Sequence, residues 1–256
     1  MSLTVRDLSF SYGKQPVLHN VSFDANNGQL LAILGPNGVG KTTLFKCILG
    51  HERKYTGNIE TDGTDLSALT PRQLSHRIAS IPQTHALPFR YSAFETVLMG
   101  TSHMISPLSV PGMEQKKLAK EAMERLNIGD LENRPFDQLS GGEQQLVYIA
   151  RALAQQAKIL LMDEPTSSLD YGNQLRVLDT VRELTGNGYT VLLSTHNPQH
   201  ALWYGDEALA LYNGRMLAFG KPCEVISEDL IETLYGRKAS LVKTSSGPVL
   251  VPKEVC

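Results

Sequence analysis

The sequence is poor in cysteine, and its few cysteines lie far apart. Cys47, Cys223 and Cys256 are the three cysteines among 256 residues. A disulfide framework needs an even set of cysteines, and a zinc site needs them at short spacings. Neither pattern is present, and we expect the chain to work in a reducing, cytoplasmic setting.

Long apolar runs are also missing. No stretch approaches the roughly 18 to 20 apolar residues that span a bilayer. The opening MSLTVRDLSF has no signal-peptide core. We therefore expect a protein that is soluble by itself, and that can still dock on a membrane protein through a surface patch.

A dominant charge is the third absence. The chain has 24 basic and 26 acidic residues and a formal net charge of -2, with no long run of one sign. Nucleic-acid-binding domains usually carry a strongly basic face. The composition therefore predicts no nucleic-acid partner. The sequence also has no internal repeat, which argues against repeat architectures.

Helix and strand patterns alternate along the chain, and this predicts an α/β fold with a largely parallel sheet. The runs LTVRDLSFSY, PVLHNVSFDA and TGNIETDGTD alternate in strand fashion and predict a small antiparallel sheet beside it. Residues from about 86 to 154 carry two amphipathic helix patterns and read as a helical insert in the core. Asn213-Gly214 predicts a hairpin, and the tail from about Glu224 holds one amphipathic segment.

The run GPNGVGKTT has the spacing of a loop that binds nucleotide phosphates. It follows the apolar strand pattern QLLAIL and opens a helix, so its glycines let backbone N–H groups point at an anion. Lys41 is predicted to reach the terminal phosphates and Thr42 to bind Mg²⁺. The alternative is an ordinary glycine turn between a strand and a helix. The predicted nucleotide-binding residues are Gly35, Pro36, Asn37, Gly38, Val39, Gly40, Lys41, Thr42 and Thr43.

Two consecutive carboxylates end the buried strand pattern ILLMDEP. In open α/β sheets, ligands bind beyond the carboxyl ends of the strands. We predict that Asp163 holds Mg²⁺ and that Glu164 orients a water molecule. Strand alternation would send the two side chains to different sides and give them different roles. The alternative is an acidic exit from the strand before Pro165.

The run LSGGEQQ predicts a second helix terminus suited to an anion. Ser140 stands three residues before Glu143, which is the spacing of a capping box. Gly141 and Gly142 leave the first turn without side chains. Taken alone, the pattern is equally an ordinary capped helix.

The ordered set GPNGVGKTT, LSGGE, ILLMDEP, SSLD and STH resembles the ATP-binding cassette (ABC) ATPases over residues 3 to 220. The resemblance implies an α/β fold: a RecA-like P-loop NTPase core with an antiparallel β subdomain and an inserted helical subdomain. One ABC ATPase domain would then cover residues 1–256. Its expected parts are a core and β subdomain in 1–85 and 155–225, a helical subdomain in 86–154 and a C-terminal extension in 226–256.

Four more residues acquire roles through this resemblance. Tyr12 matches the aromatic residue that stacks on adenine, and Gln83 matches the glutamine that touches Mg²⁺ and senses the γ-phosphate. Asp170 matches the aspartate that crosses a dimer interface, and His196 matches the switch histidine that contacts the γ-phosphate. Alone, they read as a strand-end tyrosine, a loop glutamine, a helix N-cap and a packed or solvated histidine.

The resemblance also implies the cofactors and the catalytic set. ATP and Mg²⁺ are the expected cofactors. The expected metal ligands are Thr42, Gln83 and Asp163. The predicted catalytic residues are Lys41, Gln83, Glu164 and His196. Ser140, Gly141 and Gly142 would close over the ATP of a second copy, which implies a homodimer around two ATP molecules. Glu143 stands where many members of the family have glutamine, and it keeps the capping role.

The resemblance further implies a transport role. Separate transmembrane permease subunits, two in number, would receive the ATPase on the cytoplasmic face of the inner membrane and would indirectly serve a substrate-binding protein. Their contact is expected near Gln83 and the region from Tyr91 to Gly112. The runs FETVLMG, SLDYGNQ and HNPQHAL look like the importers of iron-siderophore, haem and cobalamin complexes. Molybdate or tungstate uptake, a soluble ABC ATPase and a nucleotide-binding regulator remain as alternatives.

Overall fold

A six-stranded sheet forms the centre of the molecule. The computed structural model describes residues 1–82, 90–106, 109–245 and 247–253. Neighbouring strands of this sheet are parallel, except for the outermost hairpin. This confirms the predicted α/β fold and the turn at Asn213-Gly214. In spatial order the strands are β10 (Arg215–Gly220), β9 (Glu207–Tyr212), β3 (Leu30–Leu34), β8 (Thr190–Thr195), β7 (Ile159–Asp163) and β6 (Ile78–Ile81).

A second, antiparallel sheet lies beside the first, as the N-terminal alternation predicts. Its strand order is β2, β1, β4, β5. The inward residues of its strands share a buried core with Leu31 and Ile33 of β3. This core covers one face of the central sheet. The strands are β1 (Leu3–Tyr12), β2 (Gln15–Ala25), β4 (Thr56–Thr61) and β5 (Thr64–Asp65).

Helices cover the other face and form the predicted helical part. Leu30, Ala32 and Leu34 of β3 belong to this second core, together with residues of three helices that pack on one another, α3, α4 and α5. The helices of the described residues are α1 (Lys41–Ile48), α2 (Pro71–Ser75), α3 (Ala93–Leu98), α4 (Met113–Arg125), α5 (Gly141–Ala154), α6 (Tyr171–Gly186), α7 (Pro198–Tyr204), α8 (Pro222–Val225) and α9 (Glu228–Tyr235).

The C-terminal part holds one element that the sequence analysis did not predict. The expected amphipathic segment is α9, whose apolar side is buried. It is followed by the hairpin of β11 (Ala239–Thr244) and β12 (Gly247–Pro252), which pair antiparallel. Both strands are at best partly buried, and for that reason they lack a clear apolar alternation. Among the described residues, no helix is both long and apolar enough to cross a bilayer.

Candidate functional site

The phosphate loop lies between a buried strand and a helix. β3 is fully buried and ends at Leu34, and α1 begins at Lys41. A Cβ atom on Gly35 would stand 2.4 Å from the carbonyl oxygen of Leu211, so the close approach of β9 requires glycine there. Gly40 has a φ of +112°, which L side chains rarely adopt. The local chain path therefore depends on these two glycines.

Lys41 crosses the loop and is almost completely buried, with 5% of its surface exposed. Its Nζ donates to the carbonyl oxygens of Gly35 at 2.6 Å and of Pro36 at 3.0 Å. The same nitrogen lies 3.1 Å from Oε1 of Glu164. An ammonium group has three donors, and these partners engage all three. A phosphate oxygen that reaches Lys41 must therefore displace one of them.

Two hydroxyl groups hold Asp163 at the end of β7. Thr42 Oγ1 donates to Asp163 Oδ2 at 2.8 Å, and Ser194 Oγ donates to Asp163 Oδ1 at 2.6 Å. Hydroxyl and carboxylate oxygens are the hard ligands that Mg²⁺ selects. The donor set of Thr42 and Asp163 fits this metal. Ser194 also accepts from the backbone N–H of Glu164 at 2.9 Å, so it orients both carboxylate residues.

Glu164 stands between a cation and an imidazole. One carboxylate oxygen faces Lys41, and the other, Oε2, lies 3.1 Å from Nδ1 of His196. Glu164 is 11% exposed and His196 is 51% exposed. The residue lies beyond β7 with a φ of +47°, so the strand alternation assumed in the sequence analysis stops at Asp163. The two carboxylates do have different partners.

A cleft of about 270 Å³ opens over these groups. Sequence analysis missed two residues of this region, Val17 and Ser194. Val17 belongs to a half-buried strand, and no local pattern marks it. Ser194 was detectable, because it lies near the end of the strand that pairs with β7. The lining residues are Val17, Asn37, Gly38, Gly40, Lys41, Thr42, Thr43, Asp163 and Glu164.

Tyr12 lies among the described residues, and Gln83 does not. Tyr12 ends β1 and is 42% exposed, with its ring edge-to-face against Phe10 at a centroid distance of 4.8 Å. Its role toward adenine stays a prediction. Gln83 lies outside the described residues, so its predicted roles also stay predictions.

Ser140 caps α5 through the predicted capping box, which is confirmed. The backbone N–H and the hydroxyl of Ser140 both donate to Glu143 Oε2 at 2.8 Å. These bonds, led by the one from the backbone N–H, lower the pKa of Glu143. Arg134 Nη1 donates to the other carboxylate oxygen at 3.1 Å. Among the described residues, Ser140 does not line the cleft over Lys41.

The glycines of this run pack against the start of α6. A Cβ atom on Gly142 would stand 2.3 Å from Oδ1 of Asn173. Asp170 is the N-cap of α6 and accepts from the backbone N–H of Asn173 at 2.9 Å. That bond is the largest cause of the lowered pKa of Asp170. Asp170 therefore has the ordinary capping role in the single chain, and its interface role stays a prediction.

The residues after His196 form a hydrogen-bonded network around a second histidine, His200, which is buried. Asn197 Nδ2 lies 3.0 Å from Nε2 of His200, and the backbone N–H of Asn197 donates to Thr195 Oγ1 at 3.0 Å. Burial, and then the charge of His196, lowers the pKa of His200 to about 4. His200 is therefore neutral at pH 7. Sequence analysis gave it no role.

The geometry defines a class of protein first. A glycine loop between a buried strand and a helix, with a carboxylate held against the loop threonine, is typical of P-loop nucleotide-binding proteins. A family model described as ABC transporter matches residues 18–167. The chain belongs to this family as an ATP-binding protein, and ATPase activity is characteristic of the family.

Known relatives and solved structures agree with this assignment. A hemin import ATP-binding protein, HmuV of Jannaschia sp., is 37% identical over 242 residues, which cover 91% of this chain and 87% of the relative. HmuV of Shewanella denitrificans is 32% identical over 257 residues, with 97% and 100% covered. A transporter described as of the metal-chelate type, in an inward-facing conformation, has a TM-score of 0.87 and 32% identity, with 99% and 97% covered. The predicted resemblance to this importer subgroup is confirmed.

Proposed function

We propose that this chain is the ATP-hydrolysing subunit of a bacterial importer of metal chelates, with hemin as the first candidate. The observation that carries the hydrolytic part is the array of Lys41, Glu164 and His196 beside the pair of Thr42 and Asp163. The names of the relatives support the cargo. In such a transporter the ATPase does not contact the cargo, so the cargo is assigned by similarity and not by any residue of the cleft.

In the proposed reaction, Lys41 and the loop amides bind the phosphates of ATP. Thr42, Asp163 and Gln83 would hold Mg²⁺, which would supply positive charge against the triphosphate. When a phosphate oxygen replaces Glu164 as a partner of Lys41, the carboxylate of Glu164 loses its ion pair. Glu164 then polarises a water molecule for in-line attack on the γ-phosphorus, and His196 contributes to the charge clamp.

A homodimer around two ATP molecules completes the proposed site. Ser140, Gly141 and Gly142 of one copy would cover the nucleotide bound by the other copy, with Asp170 at the interface. The separation of Ser140 from the cleft of its own chain supports this arrangement. Closure on ATP and opening after hydrolysis would convert phosphate chemistry into motion.

Two transmembrane permease subunits are the proposed membrane partners, with a substrate-binding protein acting indirectly. A groove of about 600 Å³ is lined by the segment that follows α1, by α2 and by the end of α5, and its lining includes Pro82, the residue before Gln83. Val110 and Met113, which are 28 and 31 positions after Pro82, are 86% and 88% exposed. We place the cytoplasmic helix of a permease in this groove, at the cytoplasmic face of the inner membrane. We also propose that the chain is divided as the resemblance implies, into a core with its β subdomain, a helical subdomain and a C-terminal extension.

Substitution of Glu164 tests the catalytic assignment. We expect Glu164→Gln to bind ATP and to lose turnover, because the amide cannot accept a proton from water. Lys41→Ala should lose both binding and turnover. The measurements are nucleotide binding and phosphate release, with Glu183→Gln on the exposed side of α6 as the matched control. Normal hydrolysis by Glu164→Gln would refute the assigned base.

Uptake identifies the cargo. In a strain that lacks this protein, re-expression of the wild type should restore uptake of labelled hemin, and Glu164→Gln should not. The same strain is tested with iron-siderophore, cobalamin and molybdate. Restored uptake of molybdate alone would contradict the proposed metal-chelate class.

A further inference from the structure

The C-terminal hairpin is bonded to the first turn of α7. Gln199 Nε2 donates to the carbonyl oxygen of Pro248 at 3.0 Å, and Gln199 Oε1 accepts from the backbone N–H of Leu250 at 2.9 Å. One side-chain amide thus satisfies a donor and an acceptor of β12, as a neighbouring strand would. Gln199 is the third residue after His196. These two hydrogen bonds therefore lie next to residues 195–197, which we call the switch loop.

The bonds continue from Gln199 into that loop. The backbone N–H of Gln199 donates to Asn197 Oδ1 at 3.0 Å, and the backbone N–H of Asn197 donates to Thr195 Oγ1 at 3.0 Å. In the chain, His196 lies between Thr195 and Asn197, which these bonds hold in place. Its own side chain is half-exposed, and its Nδ1 lies 3.1 Å from Oε2 of Glu164. The position of its ring therefore depends on the backbone that carries it.

The helix before the hairpin is packed into the core that also contains β8. Leu230, Ile231 and Leu234 of α9 are buried in the same core as Leu193, which lies near the end of β8. The hydroxyl of Tyr235 is buried without a hydrogen-bond partner among the described residues. Burial, and after it the negative charge of Glu164, raises the pKa of Tyr235.

We propose that Gln199 is a positioning residue through which the C-terminal hairpin holds His196 against Glu164. The inference rests on the proposed function, and it adds a role for residues 228–253. Nucleotide binding depends on the phosphate loop, at the other side of the cleft. Loosening the hairpin should therefore slow hydrolysis without weakening ATP binding.

Gln199→Met tests this role in the full-length chain, because methionine keeps the length of the side chain and loses both hydrogen bonds. We expect kcat to fall about tenfold and KM for ATP to stay within about twofold, since small displacements of a reacting group have large effects on rate. Gln199→Glu keeps the acceptor for Leu250 but places a carboxylate oxygen against the carbonyl oxygen of Pro248, which repels it. Its kcat should fall at least as far as that of Gln199→Met.

Lys253→Met is the matched control. Lys253 pairs with Glu228 and ties the hairpin to α9, but it does not touch the switch loop. It should keep wild-type kcat and KM, and the thermal midpoints of both variants are compared to separate rate from stability.

Two results would overturn the inference. One is wild-type kcat in Gln199→Met, and the other is a parallel loss of kcat and ATP affinity, which indicates a general structural role. If the wild-type chain itself does not hydrolyse ATP, the proposed function fails instead. The two failures are therefore distinguishable by the wild-type assay alone.

Discussion

Gly142 lets the start of α5 pack closely against the start of α6, because glycine has only a hydrogen atom in place of a side chain. The residue has a helical backbone in α5, so no unusual φ requires glycine. The requirement is steric, because a Cβ atom would stand 2.3 Å from Oδ1 and 2.5 Å from Cγ of Asn173. Asn173 Nδ2 also donates to Asp170 Oδ2 at 2.7 Å. A larger residue at 142 would therefore disturb the cap of α6 as well.

We predict that Gly142→Ala lowers the free energy of unfolding by about 1 to 3 kcal/mol, as overpacking does. Asn173→Ala should remove the clashes with Oδ1 and Cγ and leave a tight Cβ–Cβ contact of 3.0 Å, so the double variant should lose less than the sum of the two single losses. Urea unfolding measures both effects. Gly141→Ala is the control, because its Cβ atom would meet only Leu169 Cδ2, at 3.1 Å. Additive losses in the double variant would contradict the steric explanation.

At the same scale, the sequence located most groups of the site but not their partners. Lys41 and Thr42 were predictable because the phosphate loop is contiguous and its spacing carries the chemistry. The ion pair of Lys41 with Glu164 was not predictable, since 123 positions separate the two residues. Ser194 was missed because a serine at a strand end is common. Its importance comes from lying opposite Asp163.

At the scale of elements, α7 is organised around a buried neutral base. His200 is 7% exposed and its pKa is lowered to about 4. An unfolded chain binds the proton at the usual pKa of 6.5, so the unfolded state takes up more protons below that pH. Stability is therefore complete above pH 6.5 and is lost as the pH falls toward 4.

We predict that this histidine reduces the free energy of unfolding by up to about 3 kcal/mol over that range. His200→Gln removes the titrating group and keeps an acceptor for Asn197. Its unfolding free energy should depend less on pH between 6.5 and 4 than that of the wild type. Urea unfolding at a series of pH values measures the slopes, with His51→Gln at an exposed position as the control. Equal slopes in wild type and His200→Gln would refute this cause.

Elements differed in how far the sequence predicted them. The strands of the central sheet were predictable because burial on both faces leaves short apolar runs such as KILLMD. The capping box at Ser140 was predictable because it is local. The hairpin of β11 and β12 was missed, since its strands are partly exposed and are held by Gln199, 49 and 51 positions away from its partners Pro248 and Leu250.

At the scale of the whole molecule, the proposed homodimer predicts that ATP binding by one chain and closure of the dimer can be lost independently. In a Glu164→Gln background, ATP should convert the monomer to a dimer, because hydrolysis no longer opens it. Adding Ser140→Phe should leave ATP binding by the monomer unchanged and abolish the dimer. Size-exclusion chromatography with light scattering, together with nucleotide binding, measures both.

The control for the lost cap is Ser92→Phe. Ser92 caps α3 through the same kind of capping box, with Glu95, and it lies outside the proposed interface. It should still dimerise with ATP. Loss of monomer ATP binding in Ser140→Phe would show that Ser140 acts on the nucleotide of its own chain.

The sequence by itself determined the α/β class, the phosphate loop, the two carboxylates and the capped helix of Ser140. Each of these depends on a pattern within a few residues, where backbone geometry and spacing decide the outcome. The tertiary structure alone decided that Glu164 pairs with Lys41, that Ser194 holds Asp163, and that a C-terminal hairpin is bonded beside His196. These contacts arise when the carboxyl ends of distant strands meet at one edge of the sheet, and no local pattern encodes which residues will meet there.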